Sequence, residues 1–191
     1  MDDLEYKQEH KIATAKFERI TSSIPAALLK KENEIFERIK KNKRNPLNKL
    51  VVLYDFMNSL YKHVNQNTFC KKGCNNCCFY KVSISELEAQ LIENKTGYKR
   101  SESINNLFIT DYHGSPCPFL KNEACSIYDV RPFVCRRFVT LASSERWCHP
   151  NIANSYEFPL LNFSEIDKSY DYIVNQSGYF NQKDIREIFM A

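Results

Sequence analysis

Glycine is scarce in this sequence and long apolar runs are missing, and each scarcity excludes a class of protein. Only four glycines occur among 191 residues, which argues against many tight hairpins and against a glycine-rich phosphate loop. No apolar run approaches the roughly 20 residues that cross a bilayer. The N-terminus, Met1 to Glu5, is acidic and polar, unlike a secretory signal. We therefore expect a cytoplasmic protein that does not engage a membrane.

Apolar side chains and cysteines are plentiful by comparison. The apolar fraction is 43%, with 13% aromatic residues, which is enough for a hydrophobic core in a single domain spanning residues 1–191. There are also eight cysteines. In a reducing cytosol they stay free thiols, and clustered free thiols indicate metal or redox chemistry in preference to a disulfide scaffold.

Apolar residues outside the cysteine region recur at helical spacing, so the expected fold class is mainly α. The N-terminal part, residues 1–68, and the C-terminal part, residues 151–191, are both predicted to be helical. Residues 69–150 form a loop-rich cysteine module with at most a short strand or two. The predicted architecture is a set of helices around a metal-binding module.

Local capping signals predict where several helices begin and end. The capping box Ser85-x-x-Glu88 opens a helix that ends near Gly97. Asn45 before Pro46 opens an earlier helix with a clear apolar stripe. Three further predicted starts are Ser23 with Pro25, Ser164 with Asp167, and Asn181.

The cysteines fall in two groups, and their spacing is typical of metal ligands. Separations of C-x3-C and C-x2-C let two sulfurs reach one ion from a single turn, as in zinc and iron–sulfur sites. Gly73 relaxes the backbone at such a turn. A second, distant group then completes the shell. All eight are predicted ligands of zinc or of iron, including a [4Fe–4S] cluster: Cys70, Cys74, Cys77, Cys78, Cys117, Cys125, Cys135 and Cys148.

Adjacent cysteines constrain how the ions are shared. Neighbouring side chains in extended backbone point to opposite sides, so Cys77 and Cys78 are not expected to bind one tetrahedral zinc. Either two metal centres lie close together or one of the pair is a small buried apolar residue. We favour ligation by both. We expect the first group to supply most of one site, with Cys135 or Cys148 joining it.

Basic residues beside the cysteines have a physical role near thiolates. The guanidinium donors of Arg131 and Arg136 can hydrogen-bond sulfur and offset its charge, whereas Arg137 is equally well an ordinary surface residue. His113 and His149 lie beside cluster cysteines, where they are either additional donors or ordinary loop histidines.

The net charge gives little support to nucleic-acid binding. The formal value is +4 with neutral cysteines. Eight thiolates add eight negative charges and two zinc ions return four positive ones, so the total falls to about zero. The basic runs Lys40–Arg44 and Lys71–Lys72 could contact an acidic protein partner, although such runs are usually solvated faces.

These motifs resemble the YkgJ-like cysteine-cluster family of zinc- or iron-chelating domains. The family pattern is C-x2-C-x2-C-C, then C-P-F-L, then C-x-I-Y-x-x-R-P-x-x-C-R. This chain carries Cys77-Cys78, residues 117–120 as C-P-F-L, and residues 125–136 as C-S-I-Y-D-V-R-P-F-V-C-R. The first spacing departs from the pattern, being C-x3-C from Cys70 to Cys74. The resemblance covers about residues 69–140.

The same family includes the metal-binding part of flagellin lysine methylases, which implies an S-adenosylmethionine (SAM)-dependent enzyme as an alternative. The spacing Cys70-x3-Cys74-x2-Cys77 is that of the radical-SAM triad. No repeated strand–helix pattern and no G-x-G stretch accompany it. Three functions stay open: a metal-binding protein, which we favour; a SAM-dependent or redox enzyme with an iron–sulfur cluster; and a zinc-dependent interaction module.

Overall fold

The structure is a computed structural model that describes residues 3–101, 111–178 and 181–189. Within those ranges it is mainly helical, with two small sheets, which confirms the expected fold class. No helix in the described ranges has both the length and the apolar character needed to cross a membrane. The helices are α1 Asp3–Ser23, α2 Ala26–Lys41, α3 Pro46–Asn65, α4 Glu86–Thr96, α5 Phe133–Arg137, α6 Pro150–Ala153, α7 Ser164–Ser177 and α8 Ile185–Phe189.

Both sheets are two-stranded and antiparallel. The strands are β1 Ser83–Ser85, β2 Leu120–Lys121, β3 Ala124–Cys125 and β4 Gln182–Asp184. Strands β2 and β3 form a hairpin whose two turn residues, Asn122 and Glu123, have φ of 50° and 59°, as a type I′ turn requires. Strands β1 and β4 are distant in sequence, and their pairing brings the C-terminal region onto the cysteine module.

Three of the predicted helix boundaries are confirmed. The side chain of Asn45 accepts a hydrogen bond from the backbone N–H of Asn48 at 2.9 Å, and Pro46 occupies the first turn. Ser85 and Glu88 form both halves of a capping box. Gly97 ends α4 in the left-handed conformation, with φ of 76°, which favours glycine.

The other three predicted starts each come at or shortly before an observed helix, but none of the three predicted side-chain caps is present, because tertiary contacts override the local signals. Ser23 belongs to α1, where its hydroxyl donates to the Ile20 carbonyl, and α2 begins after Pro25 without a side-chain cap. Ser164 lies inside α7. The cap of α7 is Glu32 of α2, whose carboxylate accepts from the N–H of the residue after Ser164, at 3.0 Å. Asn181 precedes strand β4, because pairing with β1 keeps that segment extended.

Apolar residues form two cores. The larger joins α1, α2, α3 and α7 and includes Ile20, Ile39 and Leu53. The smaller lies beneath the cysteine loops, where Ile185 of α8 packs with Val82 and the buried cysteines. The N–H of Ile185 also donates to the Val82 carbonyl at 2.9 Å. The second core thus holds α8 against the cysteine module.

Glu88 is a buried carboxylate, 2% exposed, that connects four helices. Its Oε1 accepts from the Tyr54 hydroxyl at 2.8 Å and from the Phe133 N–H at 2.7 Å. Its Oε2 accepts from the Tyr170 hydroxyl at 2.6 Å and from both the N–H and the hydroxyl of Ser85 at 2.8 Å. Five donors therefore surround one carboxylate, and together they fix the start of α5, which carries a cysteine.

Candidate metal centre

All eight cysteines line a single cavity. All eight are free thiols. The cavity has a volume of about 70 Å³. A water molecule needs only roughly 10–15 Å³ of such space, so one or two ions or a small cluster have room. The lining cysteines are Cys70, Cys74, Cys77, Cys78, Cys117, Cys125, Cys135 and Cys148.

Short irregular segments bring these cysteines together. Cys70 and Cys74 lie in the loop after α3, and the adjacent pair lies in a 3₁₀ turn, Asn76–Phe79. The second group comes from the β2–β3 hairpin region, α5 and a 3₁₀ turn ending at Cys148. The two regions are joined directly, because the N–H of Cys117 donates to the Cys78 carbonyl at 2.7 Å.

One set of thiols lies around Cys70. The negative charges of Cys148, Cys74 and Cys77 would raise the pKa of Cys70. The charges of Cys74 and Cys77 would also raise the pKa of Cys148. These four sulfurs are therefore neighbours. Three of them come from the first sequence group and the fourth from the far end of the module. We refer to Cys70, Cys74, Cys77 and Cys148 as the first set.

The second set consists of Cys78, Cys117, Cys125 and Cys135. The thiol of Cys78 shares hydrogen bonds with Cys125 and Cys77, and the charge of Cys125 would raise the pKa of Cys117 and Cys135. The adjacent cysteines, Cys77 and Cys78, are assigned to different sets although their sulfurs share a hydrogen bond. Cys77 lies between the two sets, since the charge of Cys125 also acts on its pKa.

Burial raises the pKa of most of these thiols. Desolvation of the thiolate raises the pKa of Cys70 to about 12 and that of Cys117 to about 11. Burial also raises the pKa of Cys135 well above its ordinary value, and those of Cys74 and Cys148. Thiols with such pKa values hold their protons at neutral pH until a cation displaces them.

Two sulfurs behave in the opposite way. A hydrogen bond from the Cys78 thiol lowers the pKa of Cys77, and the same donor lowers the pKa of Cys125 to about 7. The positive charge of Arg131 contributes to both decreases. Cys77 and Cys125 therefore lose their protons more readily than the other cysteines of the cavity, and each set contains one of them.

Backbone N–H groups are directed at several sulfurs. Asn76 donates to Cys74, and equivalent N–H groups two residues further along donate to Cys117 and Cys125, namely those of Phe119 and Ile127. Such hydrogen bonds favour the charged sulfur, so each lowers the pKa against the effect of burial. They orient thiolates for a bound ion, as donors around metal ligands commonly do.

Thr140 supplies two further donors. Its N–H donates to Cys70 Sγ at 3.3 Å, and its hydroxyl donates to the sulfur of Cys148. The hydroxyl is oriented by the N–H of Ala142, which donates to it at 3.2 Å. One buried threonine therefore joins two members of the first set. Sequence reasoning missed it, because a lone threonine in a loop carries no pattern.

The donor set fits zinc or iron. Thiolates are soft ligands that suit both metals, and eight of them face one cavity with hydrogen-bond donors in place. In the described ranges, no three Cys, His, Asp or Glu side chains are placed so that together they could hold a metal ion. Which sulfurs bind one ion therefore stays a prediction.

Residues 69–153 match the model of the CxxCxxCC family, described as a putative zinc- or iron-chelating domain. This part of the chain is similar to that family. The match confirms the resemblance that the motifs predicted, and its description supports metal binding. No curated protein and no solved structure matches the chain.

The two predicted arginines take different positions in the CxxCxxCC segment. Arg131 stacks on the ring of Tyr128 at 3.8 Å and lies close enough to lower the pKa of two cysteines. Arg136 instead donates to the carbonyls of Arg131 and Asp129 and to the side chain of Asn58. Arg136 thus fixes the turn that carries Arg131, and none of its described hydrogen bonds goes to sulfur.

Arg186 holds the CxxCxxCC segment from outside it. This residue of α8 is 1% exposed and pairs with Asp184 at 3.0 Å. Its guanidinium also donates to the carbonyls of Cys78 and Tyr80 and to those of Ser115 and Pro116, the last at 3.2 Å. It therefore clamps both cysteine regions together. No sequence pattern indicates this role of Arg186, because its partners are backbone carbonyls far away in the chain.

Neither predicted histidine lines the cysteine cavity. His113 stacks on Tyr80 and its Nε2 donates to the Pro150 carbonyl at 2.7 Å. His149 is exposed, and its Nδ1 accepts from the N–H of Asn151 at the start of α6. Both histidine rings therefore hydrogen-bond to backbone groups of the CxxCxxCC loops, outside the thiol cluster.

Proposed function

We propose that this protein binds two zinc or iron centres through its eight cysteines. The first set, Cys70, Cys74, Cys77 and Cys148, would hold one centre, and the second set the other. A single observation carries the proposal: eight free thiols from distant parts of the chain line one cavity. The proximity of Cys148 to Cys70, and of Cys125 to Cys117, supports two centres over one.

The residues around the sulfurs are suited to that role. Backbone N–H groups and Thr140 stabilise the thiolates, while Arg131 and Arg186 supply positive charge near them. A structural zinc contributes roughly 10–16 kcal/mol of apparent binding free energy, comparable with the stability of a whole domain. The irregular loops of the module would draw their order from such a centre, because they contain little regular secondary structure.

Metal content measured after anaerobic purification tests the proposal. We expect about two metal ions per chain by elemental analysis, with eight thiols becoming titratable only after chelation and unfolding. A colourless protein with zinc would indicate structural centres. A protein that carries no bound metal, with all eight thiols freely titratable in the folded state, would contradict the proposal.

A redox or SAM-dependent enzyme with an iron–sulfur cluster is the second candidate. The N–H groups directed at sulfur favour it, since such bonds tune cluster potentials. The spacing Cys70-x3-Cys74-x2-Cys77 also matches a three-thiolate cluster. Against it, Cys148 adds a fourth thiol to that trio, whereas a SAM site needs one open iron. Acid-labile sulfide, followed by titration with SAM, separates this candidate from the first.

A further inference from the structure

A second cavity opens beside the cysteines, and its lining is basic. It has a volume of about 420 Å³. We call it the basic groove: it is formed by the last turns of α3, the loop at Cys70–Lys72 and the turn Tyr128–Arg131. Asn65, Cys70 and Arg131 line both this groove and the cysteine cavity, so the two spaces share a wall.

Positive charge dominates the basic groove. Four cationic side chains line it, Lys62, Lys71, Lys72 and Arg131, against the carboxylate of Asp129 and, once metal is bound, the thiolate of Cys70. That carboxylate lies 3.9 Å from Lys72, and both side chains are largely exposed. The ammonium groups of Lys62 and Lys71 make no ion pair with any described residue, so an uncompensated charge faces the groove.

Several hydrogen-bond acceptors in the groove are already occupied. The side-chain oxygen of Asn58 and the carbonyl of Asp129 both accept from Arg136. The carbonyl of Tyr128 accepts from Arg131 at 2.9 Å. The carbonyls at the end of α3 would repel an anion, but those of residues 63–65 accept N–H groups of residues 66–68. Donors therefore outnumber free acceptors.

Arg131 is held in place to meet a ligand. Its guanidinium stacks on Tyr128 at 3.8 Å, and Arg136 fixes the turn below it by donating to the Arg131 carbonyl at 2.8 Å. The remaining guanidinium N–H groups of Arg131 have no partner among the described residues. A planar guanidinium fixed in this way suits the paired oxygens of a carboxylate or phosphate.

Asn65 marks the boundary between the two cavities. Its Oδ1 is buried and lacks a hydrogen-bond partner within the described ranges. A buried polar atom of this kind is rare in folded proteins and points to a missing partner. Rotating the amide by half a turn exchanges this oxygen for the NH₂ donor, so the same side chain can meet an anion.

We infer that the basic groove binds a small oxyanion, a carboxylate or phosphate group carried by a small molecule, next to Cys70. The volume falls within the ~300–1,000 Å³ typical of ligand sites. The groove adds a ligand class to the metal-binding role and does not depend on which metal the cysteines hold.

Isothermal titration calorimetry on the metal-loaded full chain tests this inference. Inorganic phosphate and succinate are the probes, each titrated at constant ionic strength adjusted with chloride. Saturable binding of phosphate alone would assign a phosphate ligand, and saturable binding of succinate alone a carboxylate ligand. Binding of both would support the shared oxyanion chemistry. If neither probe gives saturable heat, the inference is overturned.

Charge-matched variants locate the binding. The double variant Lys62→Gln/Lys71→Gln should weaken binding at least about tenfold, because each substitution removes a charge-assisted hydrogen bond to the anion. Lys62→Gln alone changes an exposed residue away from the cysteines and should give part of that loss. The control Lys30→Gln/Lys31→Gln removes the same charge from the exposed face of α2. Equal weakening in both double variants would show non-specific attraction and overturn the inference.

Discussion

Arg186 Nη2 lies 3.2 Å from the carbonyl oxygen of Cys78, and this contact ties α8 to the cysteine cavity. The same guanidinium pairs with buried Asp184 and reaches the carbonyls of residues 115 and 116. One side chain therefore satisfies carbonyls of both cysteine regions. It does so from a helix outside residues 69–153, the segment that the family model matches.

Replacing Arg186 should destabilise the whole cysteine module. Arg186→Gln would leave the Asp184 carboxylate buried without a counter-charge and several carbonyls without donors, which costs about 3–5 kcal/mol. Urea unfolding of the metal-loaded protein measures the loss. Arg38→Gln, an exposed change on α2, is the matched control. Equal unfolding free energies for the two variants would show that the clamp is not important for stability.

The two sets of cysteines should lose metal separately. We expect Cys148→Ser to remove one ion per chain by disrupting the first set, and Cys117→Ser to remove one ion from the second. Each variant is the control for the other, because both replace a buried sulfur by oxygen. Elemental analysis gives the counts. Loss of all metal in both variants would instead indicate one shared cluster.

Thr140→Val should weaken metal retention while preserving shape. The change removes the hydroxyl that donates to Cys148 and keeps the N–H that donates to Cys70. The expected loss of unfolding free energy is about 1–3 kcal/mol, and a chelator should extract metal faster. Thr21→Val removes a hydroxyl bonded to a carbonyl in its own helix and is the control. Identical extraction rates in the two variants would argue against the role of Thr140.

Metal binding should release protons and strengthen as pH rises. Burial raises the pKa of Cys70 to about 12 and that of Cys117 to about 11, so at neutral pH these thiols are protonated before metal binds. The bound thiolates have lost those protons, and affinity therefore falls as pH is lowered. Calorimetry in buffers with different ionisation enthalpies counts the released protons. Affinity that is constant between about pH 6 and pH 8 would contradict this linkage.

Glu88→Gln should be strongly destabilising although it preserves size. Five donors converge on the carboxylate, and an amide would direct its own NH₂ at some of them. We expect a loss of about 3 kcal/mol or more, since buried groups would be left unpaired. Glu34→Gln, exposed on α2, provides the control. The unfolding midpoints of the two variants, measured in urea, distinguish this role from a general effect of charge.

Local features of the fold were predictable, and long-range ones were not. The Asn45 cap, the Ser85 capping box and the Gly97 terminus depend on neighbours within four residues, so sequence alone indicates them. The start of α7 depends on Glu32, which lies more than a hundred residues earlier and gives no local pattern. Asn181 was misassigned for the same reason, because strand pairing keeps its neighbours extended.

The candidate site shows the same division. Spacing was enough to single out the cysteines. The adjacency of Cys77 and Cys78 predicts side chains that point apart, but their sulfurs share a hydrogen bond. The sequence predicts that Cys135 or Cys148 joins the first group, but it cannot decide between the two, because that choice depends on how the loops fold back. Thr140 and Arg186 act through backbone groups and single contacts, and these leave no periodic signal in a sequence.

The pairing of β1 with β4 has a consequence for synthesis of the protein. Residues 83–85 find their partner only when residues 182–184 have left the ribosome, and the guanidinium clamp follows two residues later. At typical elongation rates of about 5–20 residues per second, several seconds separate the synthesis of the first cysteines from the synthesis of β4. The cysteine cavity therefore reaches its final form only after most of the chain has been translated.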